Sequence, residues 1–407
     1  MMPASPHPFP TLYFNSGIKM IDSSDNAAFV RNDYLSGTVK GETGIEGLRL
    51  DFNAGLRLEV PSGNWHVRIT DADSELVFFD YDVSEKTLIS MEQFFIRWRI
   101  EVSRDGEPVF SHTYDATDQE VCFVLQPHVV GDNIMFLPYI ASFAQKHRCR
   151  AVVVAGSLIT PLMRELYPEL TPVLNVSENT YATYDLRNFQ KEPFWESDNS
   201  RSLPYAYIGR LLLGLDFTPR PRVFTPSAPR LIKEPYVTIA VQGSGTLKSW
   251  LYPGGWETVV DYLKELGYRV LCIDRAPAHE DDSGKVVMPA NAEDFTGDRS
   301  LVDRLHMIHY ADFFIGISSG LTWLAEAAGT KAIIISGITM PHTEYDTPYR
   351  VINRLVCHGC YNDLRVDWKA PCPRHQGTPR EGECSRKIHP KQVIEMIDRL
   401  RRDLWKH

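Results

Sequence analysis

Apolar and polar positions follow two different patterns along the chain. Before residue 119 they alternate, as in residues 65–70 and 96–103, which is the period of a strand with one buried face. Asp105-Gly106 and residues 53–55 carry the turn-forming residues of hairpins between such strands. Because no convincing helical pattern occurs here, we predict an antiparallel β-rich domain over residues 1–118, either a sandwich or a barrel.

From residue 119 onward, short apolar runs alternate with amphipathic stretches of helical period. The runs EVCFVLQP and RAVVVAG flank a predicted helix, and the proline-rich segment 218–235 then forms a stiff linker. The alternation starts again with YVTIAVQ and ends with a helix near Pro390. This pattern is typical of two doubly wound α/β halves, residues 119–225 and 226–407, with ligands bound at the carboxyl ends of the strands.

The composition is that of an ordinary folded protein. The chain has 407 residues, 43% of them hydrophobic and 23% charged, which excludes a mostly disordered protein and suits two or three domains. Its net charge of −9 gives no support to nucleic acid or an anionic membrane as partner. No apolar run approaches the ~20 residues of a membrane span. Residues 1–14 lack the features of a secretory signal, so we expect a cytoplasmic protein.

Asp132 follows Gly131 between a buried strand and the start of a helix. A carboxylate there can cap the helix, since free N–H groups and the helix dipole favour negative charge. It also lies at the carboxyl end of a strand, where a general base would face the cleft. Capping aspartates are commoner than catalytic ones, so position alone favours the cap, although the two roles are compatible.

A glycine-rich loop follows the strand YVTIAVQ. Within residues 241–256, Thr246, Lys248 and Trp250 come directly after two glycines. Glycines let backbone N–H groups approach an anion, and Lys248 adds a mobile positive charge. The GK[ST] ending of a P-loop is missing. An anion site and a glycine-rich turn with a surface lysine are therefore equally good interpretations of this loop.

Ser319, Gly320 and Thr322 open a helix rich in small residues, directly after the strand DFFIGIS. Hydroxyls and free N–H groups at a helix N-terminus form a diphosphate site, whereas the simpler interpretation is a serine N-cap. Together with the glycine-rich loop and the later turn 337–341, this half contains repeated strand-to-helix anion sites. The repetition favours the diphosphate of a sugar nucleotide as ligand.

Four of the seven cysteines lie close together in the sequence. Their pattern is C-x2-C-x11-C-x11-C, and the segment 355–386 around them is poor in core residues. Four thiolates that hold a structural zinc or iron ion would replace the missing core. Two disulfides are the alternative in an oxidising compartment, and His358 or His375 could replace one thiolate. The four residues are Cys357, Cys360, Cys372 and Cys384.

The order of these motifs resembles a known family. GDNIMFLP, SGTLKSW and SSGLTWLAEAAGT resemble the ADP-heptose:lipopolysaccharide heptosyltransferases, although Trp323 stands where those enzymes usually carry histidine. The β-rich front and the four-cysteine segment resemble the bacterial autotransporter heptosyltransferases, whose members modify serines of autotransporter passenger proteins. This second resemblance covers nearly the whole chain, and it implies a GT-B glycosyltransferase with a metal finger over residues 355–386.

The resemblance also implies a reaction and its residues. Heptose would move from ADP-heptose to protein hydroxyls with inversion, and Asp132 would deprotonate the acceptor serine. The residues implied at the donor are Lys248, Ser319, Gly320 and Thr322, with Thr246 and Trp250 as further candidates. Members of the family bind iron through the four cysteines and assemble as a ring-like dodecamer. A structural iron and a homo-oligomer are therefore expected here.

Two other functions fit part of the sequence. A lipopolysaccharide heptosyltransferase would share Asp132 and Lys248 but act on a lipid-linked sugar, which the acidic charge balance and the β-rich domain disfavour. A non-enzymatic sugar-nucleotide-binding scaffold would use the β-rich domain and the finger as oligomer contacts. The base assignment also meets a physical limit, because an isolated aspartate with a pKa of ~3.9 is a weak base for an alcohol.

Overall fold

The computed structural model describes residues 17–22, 38–187, 201, 203–368 and 371–405. The sequence interpretation of residues 1–14 lies outside this part of the chain. Within the described residues, no helix combines the length and the apolar character that crossing a bilayer requires.

The strands before the first helix are β1 (Ile18–Asp22), β2 (Arg49–Asn53), β3 (Leu56–Val60), β4 (Trp65–Asp71), β5 (Val77–Val83), β6 (Lys86–Ser90), β7 (Trp98–Arg104), β8 (Glu107–Thr113) and β9 (Glu120–Val124). The later strands are β10 (Arg150–Val154), β11 (Thr171–Val173), β12 (Ala182–Asp185), β13 (Tyr236–Ala240), β14 (Arg269–Cys272), β15 (Ala278–Asp281), β16 (Gly284–Val287), β17 (Glu293–Asp294), β18 (Phe314–Ile317), β19 (Ala332–Ile335) and β20 (Arg350–Val351). The α-helices are α1 (Gly131–His147), α2 (Thr160–Leu166), α3 (Tyr205–Leu212), α4 (Gly255–Glu265), α5 (Leu301–His309), α6 (Gly320–Ala327), α7 (Glu383–Arg386) and α8 (Pro390–Leu404).

A four-stranded antiparallel sheet is formed by β5, β4, β7 and β8, in that order. Trp65, Val67 and Ile69 of β4 are buried. His66 and Arg68, which lie between them, are exposed, as the alternating pattern predicts. The hairpin predicted at Asp105-Gly106 joins β7 to β8. Both turn residues have positive φ, 53° and 85°, which is the conformation of a two-residue type I′ turn.

Strands from both sides of residue 118 share one eight-stranded sheet, in the order β1-β6-β3-β2-β12-β9-β10-β11. The first four strands are antiparallel to one another, and the pairs from β2 to β11 are parallel. Ala182 of β12 pairs with Phe52 of β2 on one side and with Val121 of β9 on the other. The boundary that the sequence places at residue 118 therefore does not separate two sheets.

The second α/β half contains a parallel sheet with the strand order β17-β14-β13-β18-β19-β20. Val237 and Ile239 of β13 face a core that includes buried residues of α4 and α8. Tyr236 and Ala240 of the same strand face the other side, where residues of α5 and α6 pack. The strands are apolar on both faces because helices cover both faces.

The two halves meet along α1 and α6. Helix α1 follows β9 of the first sheet, α6 follows β18 of the second, and the two helices are in direct contact. Buried residues of both helices, such as Phe136 and Leu324, belong to one continuous hydrophobic core. The segments that follow β9 and β18 are thereby brought against one another, and they carry the candidate residues Asp132, Ser319 and Gly320.

Candidate active site

Asp132 lies in the first turn of α1, directly after the loop that ends β9. Asn133 fixes this loop: its amide donates to the carbonyls of Gln126 and Val129 at 2.6 Å, and its carbonyl oxygen accepts from the N–H of Gln126 at 3.2 Å. Val130 is the N-cap residue and makes no side-chain capping hydrogen bond, so Asp132 is not at the capping position; it lies in the first turn, where the helix dipole favours its negative charge. The partly buried carboxylate is available for chemistry instead.

The backbones of the two halves approach closely beside Asp132. A Cβ atom on Gly131 would lie 2.7 Å from Cδ1 of Trp323, and one on Gly320 would lie 2.7 Å from Cβ of Val130. Cβ atoms do not come this close to other heavy atoms in folded proteins. Both positions therefore need glycine for the N-termini of α1 and α6 to meet.

Lys248 and Asp132 act on one another electrostatically across this junction. Burial raises the pKa of Asp132, and the positive charge of Lys248 partly offsets the rise. Burial lowers the pKa of Lys248, and the carboxylate of Asp132 partly offsets the fall. An aspartate with a raised pKa is a stronger base than an exposed one, which suits the removal of a proton from an alcohol.

The loop that carries Lys248 is held by a carboxylate of the β15-β16 hairpin. Thr246 begins a single 3-10 turn that ends at Lys248. The N–H and the hydroxyl of Thr246 donate to the two carboxylate oxygens of Asp281, at 2.8 and 2.6 Å. The ammonium of Lys248 lies 6.0 Å from the ring centroid of Trp368. Thr246 therefore holds the loop, while Lys248 brings its charge to the junction.

Two of the residues expected to bind the donor use their side-chain N–H or O–H in hydrogen bonds to the protein backbone. The indole N–H of Trp250 donates to the carbonyl of Ile388 at 2.9 Å, and the ring packs edge-on against Trp256 in the core. The buried hydroxyl of Thr322 donates to the carbonyl of Ile317 at 2.6 Å. Each proton is already paired with a backbone carbonyl, so both residues support the loops around the site.

The N-terminus of α6 keeps polar groups that nothing in the described chain satisfies. Ser319 is the N-cap residue by position, but its hydroxyl makes no capping hydrogen bond. That hydroxyl is buried and has no partner among the described residues. Ser319 therefore occupies the predicted N-cap position without forming the hydrogen bond of a serine cap. An unpaired hydroxyl next to the free N–H groups that begin with Gly320 is a donor set for an anion.

The clustered cysteines come together as free thiols, and no disulfide joins the described cysteines. Cys360, Cys372 and Cys384 are buried, Cys357 is partly buried, and the other three act electrostatically on Cys384. The N–H of Gly382 donates to Sγ of Cys372 at 3.3 Å. Backbone N–H groups that donate to sulfur are typical support for thiolate ligands. Thiols are the donor type that zinc and iron prefer, but among the described residues the four Sγ atoms do not form a group within 4.8 Å of one another.

A second donor set overlaps with the four thiols. One ligand atom each of Cys357, His375 and Glu383 lies within 4.8 Å of the others. Glu383, however, pairs with Arg380 at 2.5 Å and accepts the N–H of Cys357 at 3.0 Å. Because Arg380 already neutralises this carboxylate, Glu383 is the least favourable ligand of this group for a soft or borderline metal ion.

The sequence did not single out the aromatic side chains around Asp132. Tyr205 of α3 stacks on Trp323 with 6.2 Å between ring centroids, and its hydroxyl shares a hydrogen bond of 2.7 Å with that of Tyr361. Trp368 packs edge-on against Tyr361. No motif marks these residues, because only the tertiary fold brings them together.

A groove of about 1070 Å³ lies along α1 away from this junction. Its lining includes Arg148, Arg150, Arg220 and Arg222, two of which pair with glutamates. None of the predicted site residues lines this groove, so it is separate from the candidate active site.

Comparison with known proteins decides the family. Residues 44–106 match the family described as "Glycosyltransferase TibC, N-terminal domain". The chain is 37% identical to the autotransporter heptosyltransferase BAHTCr of Citrobacter rodentium (strain ICC168), over 89% of this chain and 91% of that protein. The identity is also 37% to the autotransporter heptosyltransferase TibC of Escherichia coli O78:H11 (strain H10407), over 89% and 92% of the two chains. The chain belongs to the autotransporter heptosyltransferase family.

Solved structures agree with this assignment. The crystal structure of the iron-containing dodecameric glycosyltransferase TibC superposes with a TM-score of 0.83 and 35% identity, covering 90% of this chain and 98% of TibC. TibC in complex with ADP-D-β-D-heptose gives a TM-score of 0.82. The ADP-heptose lipopolysaccharide heptosyltransferase II of E. coli shares the fold at a TM-score of 0.50 and 14% identity, covering 71% of this chain and 99% of that one. This autotransporter heptosyltransferase family member is thus GT-B-like in fold.

One relative in the family is named as inactive. It is BimC of Burkholderia thailandensis (strain E264), which is 33% identical over 87% of this chain and 86% of its own length. Family membership alone therefore does not show which residues of a member carry the activity.

Proposed function

We propose that this chain transfers heptose from ADP-heptose to serine hydroxyls of an autotransporter passenger protein. The observation that carries the proposal is that Asp132, in the first turn of α1 where the two halves meet, and Lys248 act on one another electrostatically, so a candidate base and a cation share one region. The names of the relatives support the class of reaction, and the TibC complex with ADP-D-β-D-heptose supports the donor.

Asp132 is the proposed base. Its carboxylate takes the proton of the acceptor serine while the serine oxygen attacks the anomeric carbon from the face opposite ADP. The bond from the anomeric carbon to the phosphate oxygen breaks, ADP leaves with the electron pair, and the configuration inverts. The raised pKa of Asp132 brings it nearer to neutral pH. Proton transfer comes late in the step, when the attacking oxygen has become acidic.

Lys248 and the N-terminus of α6 are the proposed diphosphate site. The ammonium of Lys248 stabilises the charge that develops on the leaving ADP. The Ser319 hydroxyl and the N–H of Gly320 donate to phosphate oxygens, which would satisfy groups that are otherwise unpaired or free. Thr246, Trp250 and Thr322 act through the loops that they hold in place.

For the four cysteines we propose one structural iron ion, with zinc as the alternative. Four thiolates fill a tetrahedral shell and leave no open position, so the ion would supply fold stability. The description of TibC as iron-containing favours iron. Residues 355–386 would then form a metal finger whose ligands are Cys357, Cys360, Cys372 and Cys384.

Assembly is proposed from the same relative. TibC is described as dodecameric, and we expect this chain to form a homo-oligomer of that kind. In this arrangement residues 119–225 carry the acceptor side and residues 226–407 the donor side. The antiparallel sheet of β5, β4, β7 and β8 adds a surface for binding or assembly. We expect modification of the passenger protein to take place in the cytoplasm.

Intact-mass spectrometry tests the proposal. A passenger fragment incubated with the purified chain and ADP-heptose should gain mass in steps of one heptose, and peptide mapping should place each sugar on a serine. A matched reaction with a lipid-linked lipopolysaccharide acceptor should show no transfer. Transfer to the lipid-linked acceptor alone would favour a lipopolysaccharide heptosyltransferase, and donor binding without transfer to either would favour a scaffold.

A further inference from the structure

The four-cysteine segment reaches across to the half that carries Asp132. Arg201, just before α3, donates from its guanidinium to the backbone carbonyls of Tyr361, Asp363 and Val366. In return, the side-chain amide of Asn362 donates to the carbonyl of Arg201. Helix α3 itself packs on α1, and the hydroxyl of Tyr139 in α1 donates to a carbonyl of α3. Four hydrogen bonds between described residues therefore tie the segment to Arg201, four residues before α3 begins.

Two buried tyrosine hydroxyls also join the four-cysteine segment to α3. Tyr361 comes directly after Cys360, and its hydroxyl shares a hydrogen bond of 2.7 Å with that of Tyr205 in α3. The two residues are only 5% and 6% exposed. Buried hydroxyls need partners, and this bond serves one from each half of the molecule. The residue next to a proposed metal ligand is thus paired with a residue of the opposite half.

This pair lies beside the proposed base. The carboxylate of Asp132 acts electrostatically on Tyr205, and the ring of Tyr205 stacks on Trp323. The indole of Trp323 fills the space that a side chain on Gly131 would need. A continuous series of packed side chains therefore leads from the cysteine segment to the residue before Asp132.

We propose that Tyr205 and Tyr361 are positioning residues for heptose transfer, whose hydrogen bond lets the four-cysteine segment hold α3 and Trp323 against the start of α1. The carboxylate of Asp132 is kept in place by this contact, and neither phenol exchanges a proton with the substrate. The four-cysteine segment then serves the acceptor side of the site as well as its own fold. The kinetic part of this inference rests on the proposed function, whereas the structural part stands without it.

A double-mutant cycle in the metal-loaded chain tests the kinetic part. Tyr205→Phe and Tyr361→Phe each remove one hydroxyl and keep the ring. Each should lower kcat for heptose transfer about three- to tenfold, the range that one hydrogen bond supplies, while the Kd for ADP-heptose stays within twofold. The double variant should lose no more than either single variant, because both changes break the same bond. Tyr207→Phe, on an exposed residue of α3, is the matched control and should keep the full kcat.

Native-state hydrogen exchange tests the structural part without any activity. Exchange of the α3 amides should be faster in Tyr361→Phe than in the wild type, while the metal content of the two proteins stays equal. A metal chelator should accelerate the same amides in the wild type. It should add a smaller increase in Tyr361→Phe, where the phenol contact is already lost and only the hydrogen bonds to Arg201 still join the segment to this part of the chain.

Three results would overturn the inference. Additive losses of kcat in the double variant would mean that the two hydroxyls act separately. Unchanged α3 exchange in Tyr361→Phe, or unchanged α3 exchange after the metal has been removed, would mean that the segment does not hold the helix. If the wild type transfers no heptose, the proposed function fails, and the exchange comparison still decides whether the segment holds α3.

Discussion

The indole of Trp323 lies so close to Gly131 that a Cβ atom at residue 131 would be 2.7 Å from Cδ1 of the ring. Trp323 belongs to the donor half and Gly131 immediately precedes the proposed base, so this contact sets how the two halves meet. It also gives a packing role to Trp323, the position at which the sequence resemblance to the lipopolysaccharide enzymes leads us to expect histidine. The larger ring reaches both Gly131 and Tyr205.

Gly131→Ala should therefore lower activity through position alone. The added methyl group forces the indole or the first turn of α1 to move, and a displacement of about 1 Å at a catalytic group can cost on the order of 100-fold in rate. We expect kcat to fall 10- to 100-fold while ADP-heptose still binds. Replacing the ring as well, in Gly131→Ala with Trp323→Leu, should restore part of the rate. A single variant with the wild-type kcat would contradict this account of the junction.

The pH profile of kcat/KM should respond to Lys248. Asp132 must be ionised to accept a proton, so activity rises with pH through its raised pKa. The charge of Lys248 lowers that pKa, so Lys248→Met should move the acidic limb of the profile to higher pH, besides lowering kcat/KM about 100-fold through the lost diphosphate contact. The exposed Lys233→Met is the control. An acidic limb that does not move in Lys248→Met would separate Lys248 from the base.

Metal analysis of two variants distinguishes the overlapping donor sets. If four thiolates hold the ion, Cys384→Ser should lose it and unfold at a lower temperature, whereas His375→Ala should keep one ion per chain. Cys149→Ser, outside the cluster, controls for the loss of a thiol. The opposite result, with an empty His375→Ala and a loaded Cys384→Ser, would favour the set of Cys357, His375 and Glu383.

Glu326 should make the protein less stable as the pH rises. Burial raises the pKa of this residue of α6 to about 7, with a smaller contribution from Asp346. Because the folded-state pKa lies above the unfolded one, the stabilisation is complete at acidic pH and is lost as the pH passes through 7. Glu326→Gln should therefore raise the free energy of unfolding by about 1–3 kcal/mol at pH 8 and change it little at pH 4.5.

Thermal unfolding at both pH values measures this effect, with the exposed Glu46→Gln as control. An equal change of Tm at both pH values would mean that the substitution acts through packing. Glu326 lies in α6, and its charge acts on Tyr139 of α1 and on Tyr345. The measurement therefore reports on the stability of the junction between the two halves.

The pattern of apolar positions predicted the type of most elements in the α/β halves. The stretch GDNIMFLPYIASFAQKH became α1, and the helix closed by Gly267 became α4, with φ of 89° at that glycine. These predictions succeeded because helix period, buried strands and turn residues are local properties. The pairing of β2 with β12 is not local, so the sequence could not show that the eight-stranded sheet runs past residue 118.

Motif position singled out Asp132 and Lys248, which the fold brings within electrostatic range of one another, but it gave Trp250 a role at the donor that its buried side chain does not support. Trp250 lies next to the lysine loop, yet its side chain turns into the core and pairs with Ile388, 138 residues away. Tyr205 and Tyr361 show the opposite error: 156 residues separate them, and neither belongs to a motif. Sequence spacing indicates which residues follow the same strand. The direction of each side chain depends on tertiary packing, which sequence spacing does not show.

The most direct test of the account is the single-turnover rate of heptose transfer by Asp132→Asn, measured at saturating ADP-heptose beside the wild type. The amide keeps the shape of the side chain and removes the base. We predict a rate 100- to 10,000-fold below the wild type, the range of general base catalysis, with the Kd for ADP-heptose unchanged. Asp105→Asn, in the exposed turn between β7 and β8, should keep the full rate. Transfer by Asp132→Asn at the wild-type rate would contradict the central claim that Asp132 activates the acceptor.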